Sequence, residues 1–97
     1  MFEIKDNESE RIFLIKNDEL SHMNLLEERI IDFLKNDKRE VVLDFQHLMH
    51  FDSVALASLI RIKRKMDTLD RPFRLINYNQ TVLRVIELSG LEDFLLG

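Results

Sequence analysis

Cysteine is absent from these 97 residues, which excludes disulfides, thiolate nucleophiles and cysteine-ligated metals. Two glycines and one proline leave little room for a flexible linker or a glycine-rich phosphate loop. No apolar run approaches the roughly 20 residues that span a bilayer. The opening MFEIKDNESE carries no apolar core of signal-peptide length, so a cytoplasmic protein without membrane insertion is expected. There is no excess of positive charge either. Fourteen basic against 18 acidic side chains give a net charge of −4, which offers no global attraction for nucleic acid or an anionic membrane.

What is present suffices for one folded unit. Hydrophobic residues make up 45% and charged residues 33%, enough for a core inside a polar surface. We expect a single domain spanning residues 1–97. Phe2 to Lys5 and Arg11 to Ile15 read as strands, the first at a sheet edge. Ser21 or Asn24 can cap a helix whose apolar stripe is Met23, Leu26, Ile30, Phe33 and Leu34. Val41 to Phe45 is the strongest strand, and its consecutive apolar residues fit burial between layers. Ser53 to Met66 forms a second helix. Phe73 to Ile76, introduced by Pro72, forms a fourth strand. Asn79 caps a third helix, Gly90 stops it, and Leu91 to Leu96 forms a short apolar turn or helix. The order β-β-α-β-α-β-α argues for an α/β domain with some parallel pairing.

The segment VVLDFQHLMHFDSVAL, Val41 to Leu56, concentrates the functional information. An apolar strand ends in Asp44, and a short loop leads to Asp52-Ser53 at the head of the second helix. Asp and Ser are both good N-caps, each stabilising by about 1 kcal/mol, so the pair could be caps alone. At about 100° per residue, Leu56, Leu59, Ile60 and Met66 fall on a core side with Ala55 and Ile62. Val54, Ala57, Ser58, Arg61, Arg64 and Lys65 fall on the exposed side. Lys63 falls on the apolar side and is expected to extend its head outward. Small apolar residues beside a serine, followed by a basic ridge, suit a protein-docking surface. His47 and His50 sit three apart near Asp52, but a loop histidine is more often a surface residue than a ligand, and no metal is expected. No general base or oxyanion turn accompanies Asp44, Asp52 and Ser53. Neither enzyme activity nor a cofactor is expected.

VVLDFQHLMHFDSVALASL resembles the central segment of STAS domains, the fold of anti-sigma-factor antagonists and sulfate-transporter tails. The family pattern is an apolar strand ending in Asp, a loop with apolar residues, then Asp-Ser, a small residue, Gly and Leu. Val41 to Asp44, Leu48, Phe51, Asp52, Ser53 and Leu56 fit it in order. VLRVIELSGLEDFL, Val82 to Leu95, resembles the family's C-terminal helix. Two positions depart from the pattern: Ala55 replaces the usual glycine, and Asp18-Glu19-Leu20-Ser21 replaces a Gly-x-Leu-Asp segment. The resemblance implies a STAS-like fold, a mixed sheet of four or five strands with helices mainly on one face. It also implies binding to an anti-sigma factor or related serine kinase, phosphorylation of Ser53, and reversal by a PP2C-type phosphatase. The expected partner-binding residues are Asp52, Ser53, Val54, Ala57, Ser58 and Arg61, with Ser58 a weaker phosphoacceptor.

Two rival readings remain. One is a STAS scaffold that is never phosphorylated and docks on a transporter or sensory assembly, a reading toward which Ala55 leans. The other is a small nucleic-acid-binding module using Arg61, Lys63, Arg64 and Lys65. That second reading lacks an aromatic platform beside the basic turn. The apolar tail of Phe94, Leu95 and Leu96, or the Phe2–Ile4 edge, could pair with a second copy to form a homodimer.

Overall fold

The computed structural model describes residues 3–16, 23–48 and 51–96. Two strands come first, β1 (Glu3–Asp6) and β2 (Glu10–Lys16). There follow α1 (Met23–Asn36), β3 (Glu40–His47), α2 (Ser53–Thr68), β4 (Phe73–Ile76), α3 (Gln80–Leu88) and α4 (Glu92–Leu96). The predicted element order holds throughout, and Leu91 to Leu96 resolves into a short helix. Ser21 and the side chain of Asn24, the predicted caps of α1, lie outside the described residues. So does Phe2.

The four strands form one mixed sheet in the order β1-β2-β3-β4. The β1–β2 hairpin is antiparallel, whereas β2–β3 and β3–β4 are parallel. Parallel neighbours need a crossover, and α1 and α2 supply the two. The strands progress in one direction across the sheet, so crossovers of one hand place both helices on the same face.

The core therefore lies between that face and the helices. Phe13, Ile15, Val41, Leu43, Phe45 and Leu75 meet Leu26, Ile30 and Phe33 of α1, and Ala55, Leu59, Ile62 and Met66 of α2. Val82, Ile86 and Leu95 close it from α3 and α4. Leu95 is core, and Phe94 and Leu96 pack against it, so the chain covers its own apolar tail.

The consecutive apolar residues of β3 are buried on both faces of the sheet, as expected, while the helices whose residues form the core lie on one of them. On the opposite face Val42 is fully buried between Ile12 and Arg74 in the strand register. Arg74 reaches from β4 across β3 to Glu10 on β2, and also bonds Glu40 at 3.3 Å. Its aliphatic stem can cover a valine while its head stays wet.

The N-terminal ends of the parallel strands carry further ion pairs. Arg11 binds Asp6 at 2.8 Å, and Arg39 binds Asp37 at 2.6 Å. Both guanidinium groups lie over the Phe33 ring. The Arg39 side chain and backbone N–H hold the Asp37 carboxyl well below its usual range. Arg71 donates to the carbonyls of Leu34, Asp37 and Arg39, closing the end of α1. No helix among the described residues is long and apolar enough to cross a membrane.

Candidate functional site

The opposite end of the sheet, where β3 and β4 finish, holds the Asp52-Ser53 turn. Two buried apolar residues, Leu48 and Phe51, precede it. Leu48 is 1% exposed, and Phe51 is buried with its ring 6.1 Å from that of Phe45. Polar ties reinforce them. The Leu48 N–H bonds the Phe45 carbonyl at 3.0 Å, and the Leu48 carbonyl accepts from the Asn79 amide at 2.8 Å. The same Asn79 caps α3, its Oδ1 accepting from the Val82 N–H at 3.0 Å. One side chain thus starts α3 and tethers the loop before α2.

Asp44 contributes to the same end as a structural element. It is 7% exposed and accepts from the Gln46 N–H at 2.9 Å. Both of its oxygens also accept from the Asn77 amide at 3.2 Å. Asn77 has φ +56°, a left-handed conformation that asparagine tolerates better than most residues. The pair ties the end of β3 to the turn between β4 and α3.

Helix α2 begins with a clear division of labour. Asp52 is the N-cap: its Oδ1 accepts from the Ala55 N–H at 2.9 Å, and its carbonyl from the Leu56 N–H at 3.0 Å. Ser53 is the first helical residue. It is exposed, and its hydroxyl has no hydrogen-bond partner among the described residues. Val54 beside it is 64% exposed. Ala57 and Arg61 follow at spacings of three and four residues, half-buried and exposed, so Val54, Ala57 and Arg61 share one flank. Arg61 is fixed in place, its Nε bonding Glu27 of α1 at 2.7 Å.

Ser58 departs from expectation. Its place on the helical wheel predicts exposure, and it is 1% exposed. The buried stripe of α2 runs through Ala55, Leu59, Ile62 and Met66. Ser58 lies only about 70° from the centre of that stripe on the side facing α1. Its Oγ accepts from Arg61 Nη2 at 2.9 Å, which satisfies the hydroxyl inside the fold. Ser58 is therefore neither an accessible hydroxyl nor part of the flank that Val54, Ala57 and Arg61 share. Leu56 and Ile60, assigned to the core, are half-buried because they sit away from the same stripe. Lys63 does extend its head outward, to Asp67 at 2.9 Å.

Ala55, the departure from the family pattern, is fully buried. Its methyl group packs in the core and adds nothing to the exposed surface around Ser53. Among the histidines, His47 is exposed at the end of β3, and His22 and His50 lie outside the described residues. Asn77 and Asn79 are the residues of this end whose roles sequence reasoning missed in whole or in part. The cap at Asn79 was legible from its place before an apolar stripe. No local signal announces its second bond, to Leu48.

Comparison with known proteins adds to this geometry. The family model of the STAS domain matches residues 19–96. A search of curated proteins found no match. Among solved structures, the chain is similar to the proposed anti-sigma factor antagonist TM1081 of Thermotoga maritima. The TM-score is 0.81 at 20% identity, covering 98% of this chain and 83% of that one. A Ser-to-Glu variant of RsbS from Moorella thermoacetica gives a TM-score of 0.80 at 20% identity, covering 93% and 78%. The anti-sigma factor antagonist SpoIIAA in its unphosphorylated form gives 0.79 at 15% identity, covering 99% and 86%. SpoIIAA of Bacillus in its phosphorylated form gives 0.70, also at 15%, covering 99% and 89%.

Proposed function

The chain belongs to the STAS domain family, and from that premise we propose a regulator of the anti-sigma-factor-antagonist kind. It binds a serine-kinase-type anti-sigma factor through Asp52, Ser53, Val54, Ala57 and Arg61. Phosphorylation of Ser53 releases it, and a PP2C-type phosphatase restores binding. The exchange takes place in the cytoplasm, and the partner supplies the ATP site.

One observation carries this reading. Asp52 alone caps α2, which leaves the Ser53 hydroxyl exposed and unengaged. A serine that capped the helix would hold its hydroxyl oxygen against a backbone N–H. Here the hydroxyl can take a phosphate without breaking a contact among the described residues. The added charge is about −1.5 to −2. The fold can tolerate it, because the positive end of α2 lies beneath. A partner seated on Ser53 and Val54 could not. It would face a bulky dianion beside the Asp52 carboxylate, in a contact that must shed water. SpoIIAA, similar in fold, occurs in unphosphorylated and phosphorylated forms, which supports a fold that accommodates the modification.

The test is incubation with ATP and the serine kinases encoded in the same genome, read by intact mass and site mapping. The expected result is one phosphate on Ser53, absent from Ser53→Ala. A stable complex with a kinase-like or transporter subunit but no phosphate would refute the switch and favour the unphosphorylated scaffold.

A further inference from the structure

A second surface lies on α2, away from Ser53. Between α1 and α2, past Arg61, runs a cleft of about 200 Å³ lined by Ile31, Leu34, Lys35, Lys65 and Leu69. Its walls are apolar, and Leu69 is 44% exposed, so the cleft presents hydrocarbon to solvent. The two charged residues that line it are both lysines, although the whole chain carries −4. Lys65 is exposed, and its ammonium group has no ion-pair or hydrogen-bond partner among the described residues. The Lys35 side chain is 68% exposed, and its one ion pair among the described residues is with Asp32, at the loose distance of 3.9 Å.

Toward the N-terminus of α2 the cleft continues into a narrower furrow, sharing Ile31, Leu34 and Lys65 with it. There Glu27 and Arg61 neutralise each other. The Lys65 charge, unpaired among the described residues, thus lies where the furrow meets the cleft, with Lys35 beside it at the Leu69 end. Lys65 follows Ser53 by twelve residues, about 18 Å along the helix axis. An occupant of this end would leave the Ser53 turn open to another protein.

We propose that this cleft docks an acidic amphipathic helix from a partner protein, distinct from whatever binds at Ser53. Two packed helices leave a trough into which the side-chain ridge of a third can fit. Leucine-type side chains would meet Ile31, Leu34 and Leu69. Glutamates flanking that stripe would meet Lys35 and Lys65. The domain would then hold one partner constitutively while the Ser53 turn exchanges another. This second site does not depend on the phosphorylation reading.

The probe is a fluorescein-labelled amphipathic peptide with leucines at helical spacing and glutamates on the flanks, with a matched peptide carrying lysines instead. Anisotropy should show saturable binding of the acidic peptide and much weaker binding of the basic one. Amide shifts should concentrate at Ile31, Leu34, Lys65 and Leu69. The double variant Lys35→Glu/Lys65→Glu should lose about tenfold in affinity, and Leu69→Asp should lose at least as much. All three positions are exposed, so circular dichroism should show unchanged folding. Equal binding of both peptides, an unaltered affinity in the double variant, or shifts centred elsewhere would overturn the proposal. Self-association of the free protein through these residues would also overturn it, as would their binding phosphatidylglycerol vesicles in place of the peptide.

Discussion

Replacing Asn79 separates two tasks that one side chain performs. Its Oδ1 caps α3 and its amide holds the Leu48 carbonyl. Asn79→Ala removes both. Loss of the cap costs about 1 kcal/mol. Loss of the second bond costs about 1 kcal/mol more, rising if the Leu48 carbonyl stays dry. The expected total is about 2 kcal/mol, a fall in Tm of about 8–16 °C for a domain of this size. Asn79→Asp keeps a good cap but turns an acceptor toward the Leu48 carbonyl, so it isolates the tether. It should cost about 1 kcal/mol in urea denaturation. Hydrogen exchange should also quicken at the Leu48 N–H, because the loop before α2 loosens. Asn79→Asp with wild-type stability and unchanged exchange would show that the Asn79–Leu48 bond does not hold the Ser53 turn in place.

Three further outcomes follow from the same geometry. At the head of α2, Asp52→Ala should cost about 1 kcal/mol, whereas Ser53→Ala should stay within about 0.5 kcal/mol of wild type; urea midpoints check both, and the reverse order would make Ser53 the cap. Asp70 has φ +54° where α2 ends, with the Arg71 N–H bonded to the Met66 carbonyl and the Asp70 N–H to the Asp67 carbonyl. Glycine suits that position, so Asp70→Gly should raise stability by about 0.5–1 kcal/mol in thermal unfolding. The Asp6, Glu10 and Asp37 carboxyls all titrate below their ordinary values of 3.8, 4.5 and 3.8. The first is lowered chiefly by the Arg11 hydrogen bond, the second by Asn7 and then Arg74, and the third by Arg39. Their stabilisation is fully present above those ordinary values and is lost as pH falls through the lowered ones. The urea midpoint should hold down to about pH 5 and then drop. Asp37→Asn should flatten the drop, and an unchanged acid limb would contradict this.

The sequence made the regular elements legible because their signals are local. Phe73–Ile76 follows Pro72 and coincides with β4, and the Asn79 cap and Gly90 stop bracket α3. The end of α3 shows why: Gly90 has φ +70°, while the Leu91 N–H bonds the Ile86 carbonyl and the Gly90 N–H that of Glu87. Ser58 was misplaced because the two halves of a helical wheel are separated by small angles. Only the packing of α1 against α2 sets where the boundary falls. The choice between Asp52 and Ser53 as cap was open for a related reason, since both residue types cap well. Arg74 on Glu10 and Glu40, Arg71 at the end of α1 and Asn77 on Asp44 join residues more than thirty positions apart, and no periodicity encodes such pairs. The STAS resemblance points to a site that spacing left undecided, and in the structure Ala55 beside it belongs to the core.

The central claim is that a phosphate on Ser53 breaks a protein complex. The most direct measurement is calorimetric titration of the serine kinase that modifies Ser53 with the unmodified protein and with the Ser53-phosphorylated protein. The account predicts at least about a hundredfold weaker binding after phosphorylation, about 2.8 kcal/mol, with the fold unchanged by circular dichroism. Equal affinity for the two forms would contradict it.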